Sequence, residues 1–198
     1  MGKIVVTAFM TVDGVIQAPG MRDEDRDGGF DLGGWTQPYG DPVVERRVVA
    51  SVLAADALLL GRRTYELFVS YWPGADPDDP RTGKLNRQPK YVASRTLTGV
   101  EWENASLLNG NLIDEVTKLK QRYNEISVWG SSTLVPQLVR HGLIDEFVLL
   151  VYPLVAGSGK RLFPQGGDPI GLELVESSVS DTGVAIHTYR RTQPQDLS

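Results

Sequence analysis

Three places in the chain combine cations, hydroxyls and glycine at the end of a short apolar run: Leu60-Gly61-Arg62-Arg63-Thr64, Ala93-Ser94-Arg95 and Trp129-Gly130-Ser131-Ser132-Thr133-Leu134. Those are the group types that hold a phosphate. A guanidinium offers a planar fork of N–H donors, and a glycine lets a ligand atom approach the backbone itself. After the third stretch, Leu134, Leu138 and Val139 recur at helical spacing, so strand, tight turn and helix succeed one another. The start of such a helix leaves N–H groups unpaired at its positive end, a natural seat for an anion. Pro136 stands a few residues into that helix and has no N–H to donate, which predicts an irregular first turn with fewer N–H groups converging. A solvated turn is the alternative for any one of these arginines. Three such strand ends together argue for one shared anion at the carboxyl edge of a parallel sheet.

Covalent chemistry is poorly supplied by comparison. The chain has no cysteine and two histidines, His141 and His187, neither set in a triad pattern, so a thiol nucleophile, thiolate metal sites and a histidine-rich metal site are not expected. Asp13, at the carboxyl end of the first strand, is the candidate proton donor; an Asp before Gly14 equally makes a turn. The Gly130 turn lacks the G-x-G-x-x-G spacing, and no G-x-x-x-x-G-K-[ST] motif occurs, which removes the usual dinucleotide fingerprint and the nucleoside triphosphatases.

The elements that must carry these groups can be read from periodicity. Residues 3 to 9 form an apolar first strand, followed by Met10-Thr11-Val12-Asp13-Gly14-Val15-Ile16 and a glycine-rich segment from Ala18 to Trp35. With Met, Phe and Trp embedded in it, that segment reads as a loop covering something rather than a loose insertion. Asp41 and Pro42 open a helix to Ala54, Ala57–Leu60 is a buried strand, and Lys90–Arg95 is another. Trp102 and Leu107-Leu108 are read as small strands around a turn. An amphipathic helix occupies 111 to 122. Phe147–Val151 is apolar throughout and is expected to be buried on both faces. Residues 172 to 179 and 184 to 190 pair through Asp181-Thr182-Gly183 as a hairpin. The expected fold is α/β: a three-layer α/β/α arrangement with a central mixed, mostly parallel sheet and a C-terminal antiparallel hairpin, in one domain from 1 to 198.

Hydrophobic residues make up 41% and charged residues 23% of the 198, as in an ordinary globular chain. No apolar run reaches spanning length, and Met1-Gly2-Lys3 leads straight into a strand, so a cytoplasmic protein without a secretory leader is expected. A net charge of −5 opposes broad contact with nucleic acid or an anionic membrane.

The motifs Thr11-Val12-Asp13-Gly14, Leu60-Gly61-Arg62-Arg63-Thr64-Tyr65-Glu66, Ala93-Ser94-Arg95 and Trp129-Gly130-Ser131-Ser132-Thr133-Leu134, then Gly142-Leu143-Ile144-Asp145-Glu146, resemble the dihydrofolate reductase superfamily. The chain is most similar to stand-alone proteins related to the C-terminal reductase domain of the bifunctional riboflavin-biosynthesis deaminase-reductase. The resemblance implies an NADPH-dependent reductase delivering hydride to a small heterocycle of the pterin or aminopyrimidine type, as in a 5-amino-6-(5-phosphoribosylamino)uracil reductase. It implies that Gly61, Arg62, Arg63 and Thr64 and the run Gly130, Ser131, Ser132, Thr133 and Leu134 flank the pyrophosphate. Ser94 and Arg95 would take the adenosine 2′-phosphate, and Ala8 and Ile16 would pack near the nicotinamide. Met10, Asp13, Trp35, Asp41 and Glu45 would face the substrate, and a homodimer is implied. The folate enzymes' W-x-x-P-x-D pattern is one residue longer here, from Trp35 through Pro38 to Asp41, which departs from folate recognition and leaves Asp41 open to a plain capping role. Glu45 could equally lie on a solvated helix face. A non-catalytic NADP-binding or regulatory protein of the same fold is the alternative.

Overall fold

The apolar runs become the inner strands of one sheet. The protein is described here by a computed structural model covering residues 1–167 and 169–192. In chain order its elements are β1 (Lys3–Thr11), α1 (Pro42–Ala54), β2 (Ala57–Gly61), α2 (Arg62–Tyr71), α3 (Pro80–Arg87), β3 (Lys90–Ala93), β4 (Ala105–Leu107), α4 (Leu112–Arg122), β5 (Glu125–Trp129), α5 (Leu134–Arg140), β6 (Glu146–Tyr152), β7 (Gly171–Val179) and β8 (Ala185–Thr192). Short 3-10 turns lie at Asp27–Gly29, Gln37–Tyr39 and Trp72–Gly74. The eight strands run in the order β4-β3-β2-β5-β1-β6-β8-β7. The first six of these pair in parallel, and β8 runs antiparallel to both of its neighbours. This is the expected mixed, mostly parallel sheet with a terminal hairpin.

Side-chain alternation sorts the strands' apolar residues onto two faces. Leu58, Leu60, Val92, Val148 and Leu150 pack with Val44, Val48 and Val52 of α1 and Leu85 of α3. Ile4, Val6, Leu59, Ile126, Val128 and Phe147 pack on the other side with Val116 and Leu119 of α4 and Val135 and Leu138 of α5. Helices on both faces complete the three layers. Both faces of β6 are covered, as its unbroken apolar run predicted.

Local rules placed the helix starts. The Asp41 carboxylate accepts from the Val43 N–H at 2.7 Å, ahead of Pro42, and Asn111 accepts from Ile113 and Asp114 at 2.9 and 3.3 Å. Three details differ from the sequence reading. β1 continues to Thr11, because its partner β6 extends alongside it as far as Tyr152. β3 stops at Ala93, leaving Ser94 and Arg95 in the loop beyond it. Trp102 is not in a strand; it is 4% exposed and its Nε1 donates to Asn86 at 2.7 Å.

That tryptophan covers a buried cation. Lys90, 0% exposed, donates from Nζ to the carbonyls of Leu85, Asn86 and Gln88 at 2.8, 2.9 and 2.9 Å, and lies 4.4 Å from the Trp102 ring centroid. It thereby closes the carbonyl end of α3.

Candidate active site

Register brings the three phosphate-type stretches side by side. Gly61 is the Cα partner of Ala93, and Ala57 and Leu58 pair with Ile126 and Ser127 of β5, so the carboxyl ends of β2, β3 and β5 open onto one cleft of about 780 Å³. Gly61–Thr64, Ala93–Thr96 and Trp129–Leu134 form one wall; Gln17, Glu24, Asp25, Asp27 and Lys160 form the other, with Phe9 and Ile16 between them. A cleft across the strand ends of a parallel sheet, of this size, is where such folds bind ligands.

The Gly130 turn has unusual geometry. Gly130 and Ser131 both adopt the left-handed conformation, with φ of 52° and 66°. For a serine this is a strained choice that must be held in place by its surroundings. The Ser131 hydroxyl supplies that hold: it donates to the Trp129 carbonyl at 3.1 Å, shares a 2.9 Å hydrogen bond with Thr64 Oγ1, and accepts a longer one from the Gly61 N–H at 3.4 Å. Ser131 is therefore a clip between the ends of β2 and β5. Its own carbonyl accepts from Leu134 and Val135, and α5 begins only at Leu134 with no side-chain cap at Thr133. This is the irregular start that Pro136 predicted. A Cβ built on Gly130 would meet nothing within 4 Å, so the backbone there faces open cleft and a ligand can approach it closely.

The cations divide into committed and uncommitted. Arg62 pairs with Glu66 at 2.9 Å within α2. Arg63 pairs with Asp25 and Asp27 at 2.8 and 3.0 Å. Lys160 meets the same two carboxylates at 2.6 and 3.0 Å. Among the described residues Arg95 makes no ion pair, and beside it Ser94 Oγ accepts from the Thr96 and Leu97 N–H groups at 3.1 and 3.0 Å.

Asp13 does not line this cleft. Its carboxylate accepts from Thr11 Oγ1 at 2.6 Å and from the Ala156 and Gly157 N–H groups at 3.0 and 2.9 Å, and pairs with Arg161 at 3.3 Å. Arg161 also donates to the Asp13 carbonyl. The Thr11 hydroxyl, followed by the two backbone donors, holds the carboxyl down at about 2. That is the wrong state for a proton donor near neutrality, so the expectation of Asp13 as catalytic acid is corrected: it ties the end of β1 to the 156–161 loop. The sign follows from the lowered value. The contribution of Asp13 is fully present above the unfolded carboxyl range and is lost as pH falls toward 2. Asp13→Asn is expected to lower stability at pH 7 by about 1–2 kcal/mol and to flatten the acid limb of stability between about pH 4 and 2. Urea melts across that range, with an unchanged acid limb counting against the anchor role, would check it.

Five more expected residues lie away from the cleft. Asp41 uses one oxygen as the α1 cap and the other to accept from the Asp181 N–H at 3.0 Å, so its carboxylate is spent on the fold. Glu45 pairs with Arg81 at 3.0 Å with its side chain 57% exposed, on a solvated helix face. Trp35 is buried, donates from Nε1 to the Gln17 carbonyl at 2.8 Å and stands edge-on to Tyr152 with ring centroids 5.3 Å apart. Met10 packs in the α4/α5-side core. Ala8 is also wholly buried there, whereas Ile16 does reach the cleft. Burial pushes the Tyr152 hydroxyl far up, with Glu45 adding to the shift. Sequence reasoning missed Gln17, Asp25, Asp27, Lys160 and Glu24. Nothing in the polar 18–34 run or in Gly157-Ser158-Gly159-Lys160 marks them individually. Burial pushes the Glu24 carboxyl upward against the pull of two N–H donors, Met21 and Gly20.

A mostly parallel sheet with helices on both faces and an anion-suited cleft across β2, β3 and β5 defines an α/β protein of the dihydrofolate reductase-like class. The chain belongs to the RibD C-terminal domain family, whose model matches residues 2–186, a reductase-type family. It is similar to the uncharacterized protein YyaP of Bacillus subtilis (strain 168), at 34% identity over 140 residues covering 68% of this chain and 73% of that one. Among solved structures it resembles a Shewanella sp. PV-4 protein named for riboflavin biosynthesis, at 25% identity with a TM-score of 0.74 over 96% of this chain and 99% of the other. The dihydrofolate reductase of Enterococcus faecalis, solved with NADP(H), shares the fold at 15% identity, with a TM-score of 0.61 over 97% and 98% of the two chains.

Proposed function

We propose that the protein is an NADPH-dependent reductase acting on a small heterocycle of the pterin or aminopyrimidine class. The observation that carries this reading is the convergence of three strand ends on one cleft in which Arg95 makes no ion pair among the described residues and the Gly130 backbone faces open space. The fit to a dinucleotide is chemical: N–H groups at the start of α2 and the open backbone at Gly130 suit a pyrophosphate, and an uncommitted guanidinium beside the Ser94 hydroxyl suits a terminal phosphate. The Enterococcus faecalis relative of the same fold was solved with NADP(H), which supports the same cofactor. When bound, that cofactor supplies the hydride. The protein's part is to hold and shield. Ser131 fixes the spacing of the two helix starts, and Phe9 and Trp129, with ring centroids 6.2 Å apart, give the cleft an apolar aromatic side. Glu24 lines the cleft with its carboxyl pushed upward by burial against the pull of two backbone N–H donors. Exposed Leu174, Val175 and Val179 on the edge strand β7 support a homodimer.

The test is thermal. At a hundredfold excess over its Kd, NADPH adds about 2.7 kcal/mol to stability, a rise of about 5–10 °C for a chain of this size. No shift at millimolar NADPH would sink the cofactor reading. The second reading, a binding or regulatory protein that has lost chemistry, is favoured by the ionised, fully committed Asp13. It predicts the same thermal shift with no loss of reduced-nicotinamide absorbance when pterins or aminopyrimidines are offered.

A further inference from the structure

Arg63 and Lys160 come from distant parts of the chain, the start of α2 and the loop after β6, yet they meet at the mouth of the cleft. Between them lie Asp25 and Asp27 of the 18–34 loop. Each carboxylate touches both cations, and the four contacts span only 2.6 to 3.0 Å. Both terminal nitrogens of the Arg63 fork are taken, Nη1 by Asp25 and Nη2 by Asp27. We propose that Arg63 and Lys160 form an anion-binding site which the chain fills with its own carboxylates, so that the 18–34 loop is a lid displaced when a phosphate-type anion enters.

The charges and the anchoring of the loop support this. Two cations and two carboxylates leave the cluster neutral, so an incoming phosphate gains the fork only by expelling loop oxygens that already occupy it. Once Arg63 is lost, Asp25 and Asp27 share Lys160 alone and repel one another. Ala18 and Phe30, buried in the core, fix the two arms of the loop, so the part free to move is the tip around Asp25 and Asp27, which has few other ties. Glu24 bonds to Gly20 and Met21 and Arg26 to Asp23, all inside the loop. Apart from the ion pairs, Gln17 secures the tip: its Nε2 donates to the Asp25 and Asp27 carbonyls at 3.0 and 2.9 Å, while its Oε1 accepts from the Lys160 N–H at 3.0 Å. Gln17 thus binds the lid's backbone to the same loop that supplies Lys160. The Arg63 and Asp27 side chains are 49% and 51% exposed, so the cluster is open to screening by salt and to exchange with a dissolved anion.

Arg22 and Arg26 are exposed residues of the lid, which makes tryptic cleavage after them, followed by mass spectrometry, a direct measure of opening. Asp25→Asn/Asp27→Asn is expected to speed cleavage about tenfold. Lys160→Met, which leaves the loop sequence and its hydrogen bond from the residue 160 N–H intact, should speed it about three- to fivefold. Both variants are compared at melting temperatures within about 3 °C of the parent. Millimolar inorganic pyrophosphate, with ionic strength matched by NaCl, is expected to accelerate cleavage of the parent and not of the double variant. Unchanged cleavage in both variants, or slower or unchanged cleavage of the parent in pyrophosphate, overturns the proposal. Only the anion's owner rests on the cofactor reading: acceleration by NADPH as well as pyrophosphate assigns the anion to the dinucleotide, and acceleration by pyrophosphate alone assigns it to the substrate. The latch therefore survives a failure of NADPH to bind.

Discussion

Replacing Arg95 by alanine is expected to weaken NADPH binding about 30- to 100-fold and to change NADH binding by less than about threefold. The reason lies in how the cleft's cations are spent. Arg62 is engaged by Glu66, while Arg63 and Lys160 are engaged by Asp25 and Asp27. Arg95 follows the capped turn at Ser94 and makes no ion pair among the described residues, so a phosphate arriving there meets a guanidinium with no carboxylate to displace. A charge-assisted hydrogen bond contributes about 1.5–3 kcal/mol, and NADH carries no phosphate to lose it. Arg95→Lys is expected to recover only part of the affinity, because a point charge replaces a two-pronged donor. Titrating both nucleotides against tryptophan fluorescence decides the matter: an equal loss for NADPH and NADH would remove Arg95 from 2′-phosphate recognition.

The largest expected effect on stability comes from a residue far from the chemistry. Lys90→Met is expected to lower stability by about 3 kcal/mol, a fall of about 6–12 °C in melting temperature. Methionine nearly matches the volume, but it leaves the carbonyls of Leu85, Asn86 and Gln88 without the donor that now closes the end of α3. It also removes the cation from the Trp102 face. Burial pushes the ammonium down to about 8, with Glu103 opposing, so the folded protein binds fewer protons here than the unfolded chain between about pH 8 and the ordinary lysine range. The burial penalty on the charged form is complete below that window, and stability rises through it. The parent's stability should therefore increase, relative to Lys90→Met, between pH 8 and 10. A variant as stable as the parent at pH 7 would show that the three carbonyls find other partners.

Much of the fold could be read from residues close together in the chain. The unbroken apolar run at Phe147–Val151 announced a strand covered on both faces, Asp41 before Pro42 announced a capped helix, and Pro136 announced the ragged start of α5. Each rests on a local rule, either side-chain alternation or a hydrogen bond reaching two to four residues along the backbone. The phosphate-type strand ends were equally visible, because their signature is composition at a turn.

The partners of individual charged side chains were not visible, and there the candidate site changed most. Asp13 read as a free carboxylate at a strand end, but its N–H donors at Ala156 and Gly157 lie 143 and 144 residues away. They convert it into an anchor for the end of β1. Asp41 spends its second oxygen on the Asp181 N–H, 140 residues on. Arg63 read as a ligand-binding cation like Arg95, and only the folded loop gives it Asp25, 38 residues earlier, while Arg95 has no such partner among the described residues. The sequence by itself determined the elements, their order and which turns carry donors for an anion, since propensity, periodicity and capping act over a few residues. Which of those donors are neutralised and which stay open to a ligand was decided only by the tertiary structure. An ion pair or a fixed carboxylate depends on groups brought within about 3 Å by the packing of distant segments, and spacing along the chain carries no record of that distance.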